Sequence, residues 1–317
     1  MIYTVTLNPA IDKTAYIPGF SAGGVNRVES LREDAGGKGI NVSKCLKALG
    51  TQSVAAVILA GETGAYLKKM LRQEGLEILC VETTGQTRTN LKIVDKISGQ
   101  NTDINEPGPS VDTSVLQALL DKICKNITPG DIVILSGSLP KGAPADTYRR
   151  WIETFHTLGA KVILDADGTA MAEGVKAAPD LVKPNETELA RLLGRPLDTE
   201  EACFSAGKEL LAMGISNVVI SLGGDGGLFL WADAAYRAEG LQVPVQSTVG
   251  AGDSVVAAMA YGMEKNLPRE EIIPLAMAMG AASVMQSGSQ APDMESVQTL
   301  SKQVQIKTFP RGEGGCP

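Results

Sequence analysis

The segment STVGAGDS at 247–254 places chemistry in a short space: Gly250, Ala251 and Gly252 form a turn, and Asp253 follows in the first turn of a helical pattern. Glycines let consecutive backbone N–H groups point at one spot, and at a helix N-terminus such a spot neutralises phosphoryl oxygens. A carboxylate there, kept ionised by the helix dipole, can accept a proton from an attacking hydroxyl as a phosphoryl group arrives. Gly-Asp-Ser also suits an ordinary helix cap, so by itself the string leaves both readings open.

A second candidate lies in LVKPNETELARLLG, where Asn185 and Glu188 stand three apart at a helix start. That spacing puts an amide and a carboxylate on one face, where they can hold hydrated magnesium near nucleotide phosphates. It is equally the spacing of a capping box, which spacing alone favours. A third candidate is DAGGKGINVSKCLKALG, in which Gly36, Gly37 and Gly39 surround Lys38 and Asn41 lies in the following helix. Glycines allow close backbone approach to a polar ligand, and Lys38 can meet an anion. Arg27 in GGVNRV and Arg88 in QTRTNLKI are further cations, for which solvated surface arginine is the default.

Elements must hold these segments in place. Apolar runs at 54–59, 132–135, 162–164 and 218–221 read as buried strands. Between them Leu116, Leu119, Leu120 and Ile123 follow helical spacing, as do Val42, Cys45, Leu46 and Leu49 before Gly50. The alternation predicts an α/β protein with a doubly wound, mostly parallel sheet flanked by helices, its crevice at the carboxyl ends of the strands. The stretches 12–34 and 86–106 break the alternation with strand-like segments and turns. Neither can form a core alone, so they are read as one small antiparallel extension, a flap of strands over the crevice of a single domain.

Composition narrows the chemistry. A net charge of -7 and 4% aromatic residues argue against a nucleic-acid surface, so an anionic substrate needs a local basic cluster. The five cysteines (Cys45, Cys80, Cys124, Cys203 and Cys316) form no CxxC pair, which signals neither a disulfide framework nor zinc and fits a reducing cytoplasm. The start, MIYTVTLNPAID, predicts a strand rather than a secretory leader, no apolar run is long enough for a membrane span, and the tail RGEGGCP reads as a frayed end. The single histidine, His156, sits in a helix with no evident partner, so histidine base catalysis is not expected. Walker A, GxGxxG and GxSxG strings are missing, which removes P-loop, simple dinucleotide and serine-hydrolase readings.

Taken together, AGGKGINV at 35–42, LSGSLP at 135–140, VKPNETE at 182–188, ISLGGDG at 220–226 and TVGAGDS at 248–254 resemble the ribokinase-like, phosphofructokinase B family of sugar kinases, nearly from end to end. The resemblance implies a doubly wound α/β domain with a β-strand lid, ATP as co-substrate and Mg2+. It implies Asp253 as catalytic base, the amides of Gly250, Ala251, Gly252 and Asp253 as an anion hole, and Asn185 with Glu188 as organisers of magnesium through water, against the capping-box preference. Lys183, Asn185, Ser221, Gly223 and Gly226 match the nucleotide site. Asp12, Gly37, Asn41, Asn90 and Ser136 match the acceptor-sugar site, with Arg27, Lys38 and Arg88 around the substrate's existing phosphate. TVTLNPAID, GGVNRV and TRTN resemble the kinases of sugar phosphates, and the substrate implied is fructose 1-phosphate ahead of tagatose 6-phosphate. A non-catalytic sugar-phosphate sensor is the rival of another class, and intact Asp253 with its glycine turn speaks against it. The strand edges of the lid need cover, which a second copy in a homodimer would supply.

Overall fold

A computed structural model describes residues 1–309 of the chain; the tail RGEGGCP, with Cys316, lies outside the described residues. The chain enters through β1 (Ile2–Thr6), leaves it for β2 (Ala10–Ile17) and β3 (Ser30–Gly36), and returns through α1 (Lys38–Ala48) to β4 (Ser53–Ala60). Then come α2 (Gly61–Gln73), β5 (Glu77–Thr83) and a second excursion, β6 (Arg88–Asp95) and β7 (Asn101–Asn105). Alternation resumes with α3 (Thr113–Cys124), β8 (Ile132–Ser136), α4 (Thr147–Thr157), β9 (Lys161–Asp165), α5 (Gly168–Gly174) and β10 (Leu181–Val182). It continues through α6 (Glu186–Leu193), α7 (Glu200–Ala212), β11 (Asn217–Ser221), β12 (Gly226–Trp231) and β13 (Ala235–Glu239). Helices α8 (Ala251–Lys265), α9 (Arg269–Val284) and α10 (Met294–Ser301) precede β14 (Ile306–Thr308).

The main sheet has the order β14-β13-β12-β11-β10-β9-β8-β1-β4-β5. From β5 to β11 neighbouring strands run parallel, and β12 to β14 add an antiparallel edge. The four apolar runs expected to be strands are β4, β8, β9 and β11. They read as continuous hydrophobic stretches because helices cover both faces. In β1 the side chains alternate: Tyr3 and Val5 join a cluster with Leu119 of α3, Trp151 of α4 and Leu210 of α7. Ile2 joins the opposite cluster with Leu46 of α1, Met259 of α8 and Met279 of α9. Ile2, Leu46, Leu119 and Phe155 are 0% exposed, and burying a side chain of this size contributes about 1.5–3 kcal/mol.

The two excursions pair into a second sheet, β3-β2-β6-β7. Its outer pairs are antiparallel, but β2 and β6 run parallel in the register Asp12↔Asn90, which corrects the expectation of an antiparallel extension. The reason is geometric: β2 leaves β1, and β6 leaves β5, from the carboxyl ends of strands that already run the same way. Ala15, Ile17 and Ile93 form the small sheet's own cluster. Strand β1 lies between β4 and β8, so the chain's path reverses there, and the crevice outside the carboxyl ends of β1 and β8 is the place for a ligand.

Candidate active site

Helix α8 begins at the crevice. Gly250, its N-cap, has φ of 83°, a left-handed conformation that suits glycine, and no side chain caps the turn. The first-turn N–H groups of Ala251, Gly252 and Asp253 therefore face outward with the positive end of the helix dipole behind them. A Cβ on Gly252 would stand 3.0 Å from the Lys183 Nζ, so the glycine leaves the space in which that ammonium approaches the turn.

Asp253 is 5% exposed and accepts a hydrogen bond from Asn41 Nδ2 at 2.8 Å. Its carboxyl is pushed up to about 6, first by burial and then by the like charge of Asp165, against the opposing pull of Lys38, Asn41 and Lys183. The sequence suggested a carboxylate held ionised by the helix dipole; burial and Asp165 outweigh that effect. The outcome suits a base, because a carboxyl of this acidity is mostly ionised near neutrality yet binds a proton more firmly than an ordinary one.

Asp165, the last residue of β9, was not singled out in the sequence, where VILDAD reads as a plain strand end. It is 0% exposed, and its Oδ1 lies 3.3 Å from Lys38 Nζ and 3.5 Å from Lys183 Nζ. The two ammonium groups keep the Asp165 carboxyl below the usual carboxylate range despite the opposing effect of burial. For Lys38, burial works against the charge, but Asp165, Asp253 and Glu188 more than compensate and raise its affinity for its proton. Two carboxylates and two lysines thus meet at the mouth of the glycine turn.

On the small-sheet side, Asp12 accepts a hydrogen bond from Asn90 Nδ2 at 2.8 Å, and burial raises its pKa above the ordinary carboxylate value. Gly36 is explained by contact: a Cβ there would lie 2.1 Å from Asp12 Oδ2. Gly37 stands at the N-cap of α1 with φ of 121°, and a Cβ there would meet Thr6 Cγ2 at 2.7 Å. Asp12, Asn90, Val249, Gly288 and Ser289 line part of a cavity of about 230 Å³ between the small sheet and the α8 and α9 ends. A larger hollow of about 620 Å³ follows α2 and β5, but it holds no comparable pairing of buried carboxylates with amides. Arg88 Nε donates to the Asn8 carbonyl at 3.1 Å and its Nη1 to the Glu106 carbonyl at 3.4 Å, which leaves other guanidinium N–H groups for an anion. Arg27 is exposed in the β2–β3 connection, and no hydrogen bond or ion pair among the described residues ties it to Lys38 or Arg88.

Buried side-chain atoms without a hydrogen-bond partner concentrate here: Thr6 Oγ1, Asn8 Oδ1, Asn41 Oδ1, Asn90 Oδ1, Ser136 Oγ and Asp165 Oδ2. Buried polar groups are ordinarily paired, and such a concentration marks where a polar ligand completes the bonding. Thr6 and Asn8 were missed in the sequence although they flank the strand end that carries Asp12. Ser136 is 0% exposed, so its hydroxyl faces the packed strand end rather than an open surface.

On the opposite side, Ser221 ends β11 and bridges to Asn185, with its N–H donating to the Pro184 carbonyl at 3.0 Å. Gly223 has φ of 58° and open space where a Cβ would stand, whereas a Cβ on Gly226 would lie 2.1 Å from the Ala238 carbonyl oxygen. Gly226 is thus glycine because β13 passes so close. Asn185 and Glu188 do form the capping box: Glu188 N donates to Asn185 Oδ1 at 2.8 Å, and Asn185 N donates to Glu188 Oε2 at 2.9 Å. Each side chain spends one oxygen on the cap. The second Glu188 oxygen and its negative charge, which Lys38 senses, fit a hydrated divalent ion that needs few protein ligands. Among the described residues no group of three or more His, Cys, Asp or Glu could hold a metal by itself. His156 lies apart on the surface, where Nε2 pairs with Asp180 Oδ2 at 3.1 Å.

Comparison with known proteins agrees with this geometry. The family model described as pfkB family carbohydrate kinase matches residues 5–296. A 1-phosphofructokinase of Bacillus subtilis is 38% identical over 306 residues, covering 96% of this chain and 99% of the relative. The 1-phosphofructokinase of Haemophilus influenzae is 38% identical over 306 residues, with 96% and 97% covered. The crystal structure of phosphofructokinase-2 from Escherichia coli in complex with fructose-6-phosphate has a TM-score of 0.89 at 29% identity, covering 95% of this chain and 98% of that one.

Proposed function

The chain belongs to the pfkB family of carbohydrate kinases, an ATP-dependent sugar-phosphate kinase, and on that premise we propose that it converts fructose 1-phosphate to fructose 1,6-bisphosphate with Asp253 as the base. The observation that carries the mechanism is the buried Asp253 carboxylate beside an uncapped glycine turn, with two lysines within reach. Its relatives named 1-phosphofructokinase carry the choice of sugar. The strings TRTN followed by LKI, and TDIN at 102–105, lean the same way and away from tagatose 6-phosphate.

In this reading the sugar lies under the small sheet, with Asp12 on its hydroxyls and Arg88 and Lys38 on its phosphate. ATP lies along Ser221 and Gly223. The C6 hydroxyl oxygen bonds to the γ-phosphorus as the bond to the ADP oxygen breaks, and the hydroxyl proton passes to Asp253. The N–H groups at Gly250 to Asp253 and the Lys183 ammonium receive the charge that develops on the transferred group. Asn185 and Glu188 are the residues that would hold magnesium through water, and magnesium when bound supplies positive charge to the nucleotide phosphates. Closure of the small sheet as a lid excludes water and limits idle ATP hydrolysis.

We further read the enzyme as a cytoplasmic homodimer joined through the lid. Val25, Val28, Leu31, Ile97 and Ile104 of the small sheet and its connections are exposed by 51–88%, an apolar surface that a second copy would cover. Among the described residues no helix is long and apolar enough to cross a membrane. The deciding experiment is ADP release with ATP and magnesium, comparing fructose 1-phosphate, tagatose 6-phosphate, fructose 6-phosphate and fructose. A kcat/KM preference for fructose 1-phosphate is expected; a preference for tagatose 6-phosphate would keep the mechanism and change the substrate. Binding without turnover would favour the sensor.

A further inference from the structure

We propose that Asp165 is a positioning residue of the transfer site: one carboxylate oxygen gathers Lys38 from the sugar side and Lys183 from the nucleotide side, and so fixes where Lys38 meets the sugar's phosphate and Lys183 the reacting phosphoryl. The inference rests on the reading of Asp253 as base. Asp165 closes β9 beside Ser136 of β8, its neighbour in register, and its carbonyl accepts the Gly137 N–H at 2.9 Å. The backbone is thereby pinned, and the side chain points at the lysines from a fixed origin. Among the described residues Lys183 makes its only ion pair with Asp165. Among the described residues no second ion pair holds the ammonium against Gly252. Lys38, which opens α1, is likewise anchored to Asp165 across 127 residues of chain.

A buried ion cluster is a poor device for stability, because the desolvation of its charges consumes most of their attraction. Its placement here has a use in the reaction: both cations are held before either substrate arrives, which is how preorganised charge accelerates transfer. The groups facing Asp253 are Lys38, Asn41 and Cys45 from α1, Asp165 from β9 and Lys183 beyond β10. Ser254 follows it on α8, and α9 brings Ser283 beside Gly250. Asp165 is a carboxylate that acts directly on Asp253. Removing its charge leaves two unbalanced cations there and makes Asp253 harder to protonate.

The test compares Asp165→Asn and Asp165→Glu in the full chain, with ATP, magnesium and fructose 1-phosphate. Asp165→Asn is expected to raise KM for both substrates and to lower kcat/KM by about 10- to 100-fold, as loss of a supporting partner does. The acid limb of its kcat/KM profile is expected to move down by roughly one pH unit. Asp165→Glu keeps the charge but displaces both lysines, so both KM values rise while the limb stays near that of the parent. A merely structural role would not move the limb in one variant and spare it in the other. Parent-like KM values and limb in Asp165→Asn would overturn the proposal, as would full recovery by added magnesium, which would make Asp165 a metal ligand. If Asp165→Asn does not fold, unchanged KM values in Asp165→Glu overturn it. Near-parent turnover in Asp253→Asn would instead sink the reading of the base, and that result is distinguishable from either outcome at Asp165.

Discussion

Asp253 concentrates the residue-scale consequences. Replacing it by Asn is expected to lower kcat by about 10²- to 10⁴-fold, the usual worth of a positioned base, as measured by coupled ADP release. The same variant is expected to be more stable than the parent. A carboxyl that titrates at about 6 when folded and near about 4 when unfolded favours the folded state only while protonated. Its burial therefore costs nothing below the unfolded value, costs more as pH rises between the two, and reaches a plateau above the folded value. At neutral pH the relief should be of order 1–3 kcal/mol, visible as a higher Tm. In the parent, kcat/KM should fall as pH drops through about 6 with a slope of one proton; an acid limb lying near 4 would exclude Asp253 as the titrating group. Arg88→Ala should raise KM for the sugar phosphate and leave KM for ATP nearly unchanged, and an unaltered sugar KM in steady-state kinetics would remove Arg88 from the substrate. The glycine turn and Asp253 were legible because both belong to one local string. Asp165 was not, since nothing in VILDAD distinguishes a strand end that meets two lysines from one that meets water.

At the scale of elements, the site depends on where β3 passes β2. Gly36 closes β3 opposite Ala10, and the space that a Cβ would fill there belongs to the Asp12 carboxylate at 2.1 Å. Gly36→Ala should push Asp12 aside and raise KM for the sugar severalfold or more, with the Tm little changed because the clash is with one side chain at the site's edge. An unchanged sugar KM would show that Asp12 does not touch the substrate. The spacing of Asn185 and Glu188 announced a capping box, and the box forms. The resemblance to sugar kinases set that reading aside too quickly, since the cap, though it engages the one side-chain oxygen of Asn185, leaves the second oxygen of Glu188 free of the cap. The parallel pairing of β2 with β6 was hidden from local patterns because strand direction is inherited from β1 and β5, elements far away in sequence.

For the whole molecule, the exposed apolar residues of the small sheet and its connections are the feature that a single chain does not explain. Sedimentation should give a dimer for the parent, and Val25→Asp combined with Leu31→Asp should give a monomer with an unchanged circular dichroism spectrum. A parent that sediments as a monomer at working concentration would remove the lid interface. Arg27 lies in the same connection as Val25 and Val28 and is exposed like them.

The sequence by itself determined the fold class, through buried apolar runs alternating with helical spacing, and it pointed to the reaction type through five motifs that only together resemble the sugar kinases. A single histidine argued against histidine base catalysis, and the missing Walker A and GxGxxG strings argued against P-loop and simple dinucleotide chemistry. Only the tertiary structure decided the electrostatics, because the fields at Asp253 come from groups distant along the chain: Asn41 lies 212 positions away on α1, which also carries Lys38, and Asp165 and Lys183 arrive from the ends of β9 and β10. Acidity is set by what stands within a few ångströms and by exclusion of water, and neither quantity is written in the spacing of residues along a chain.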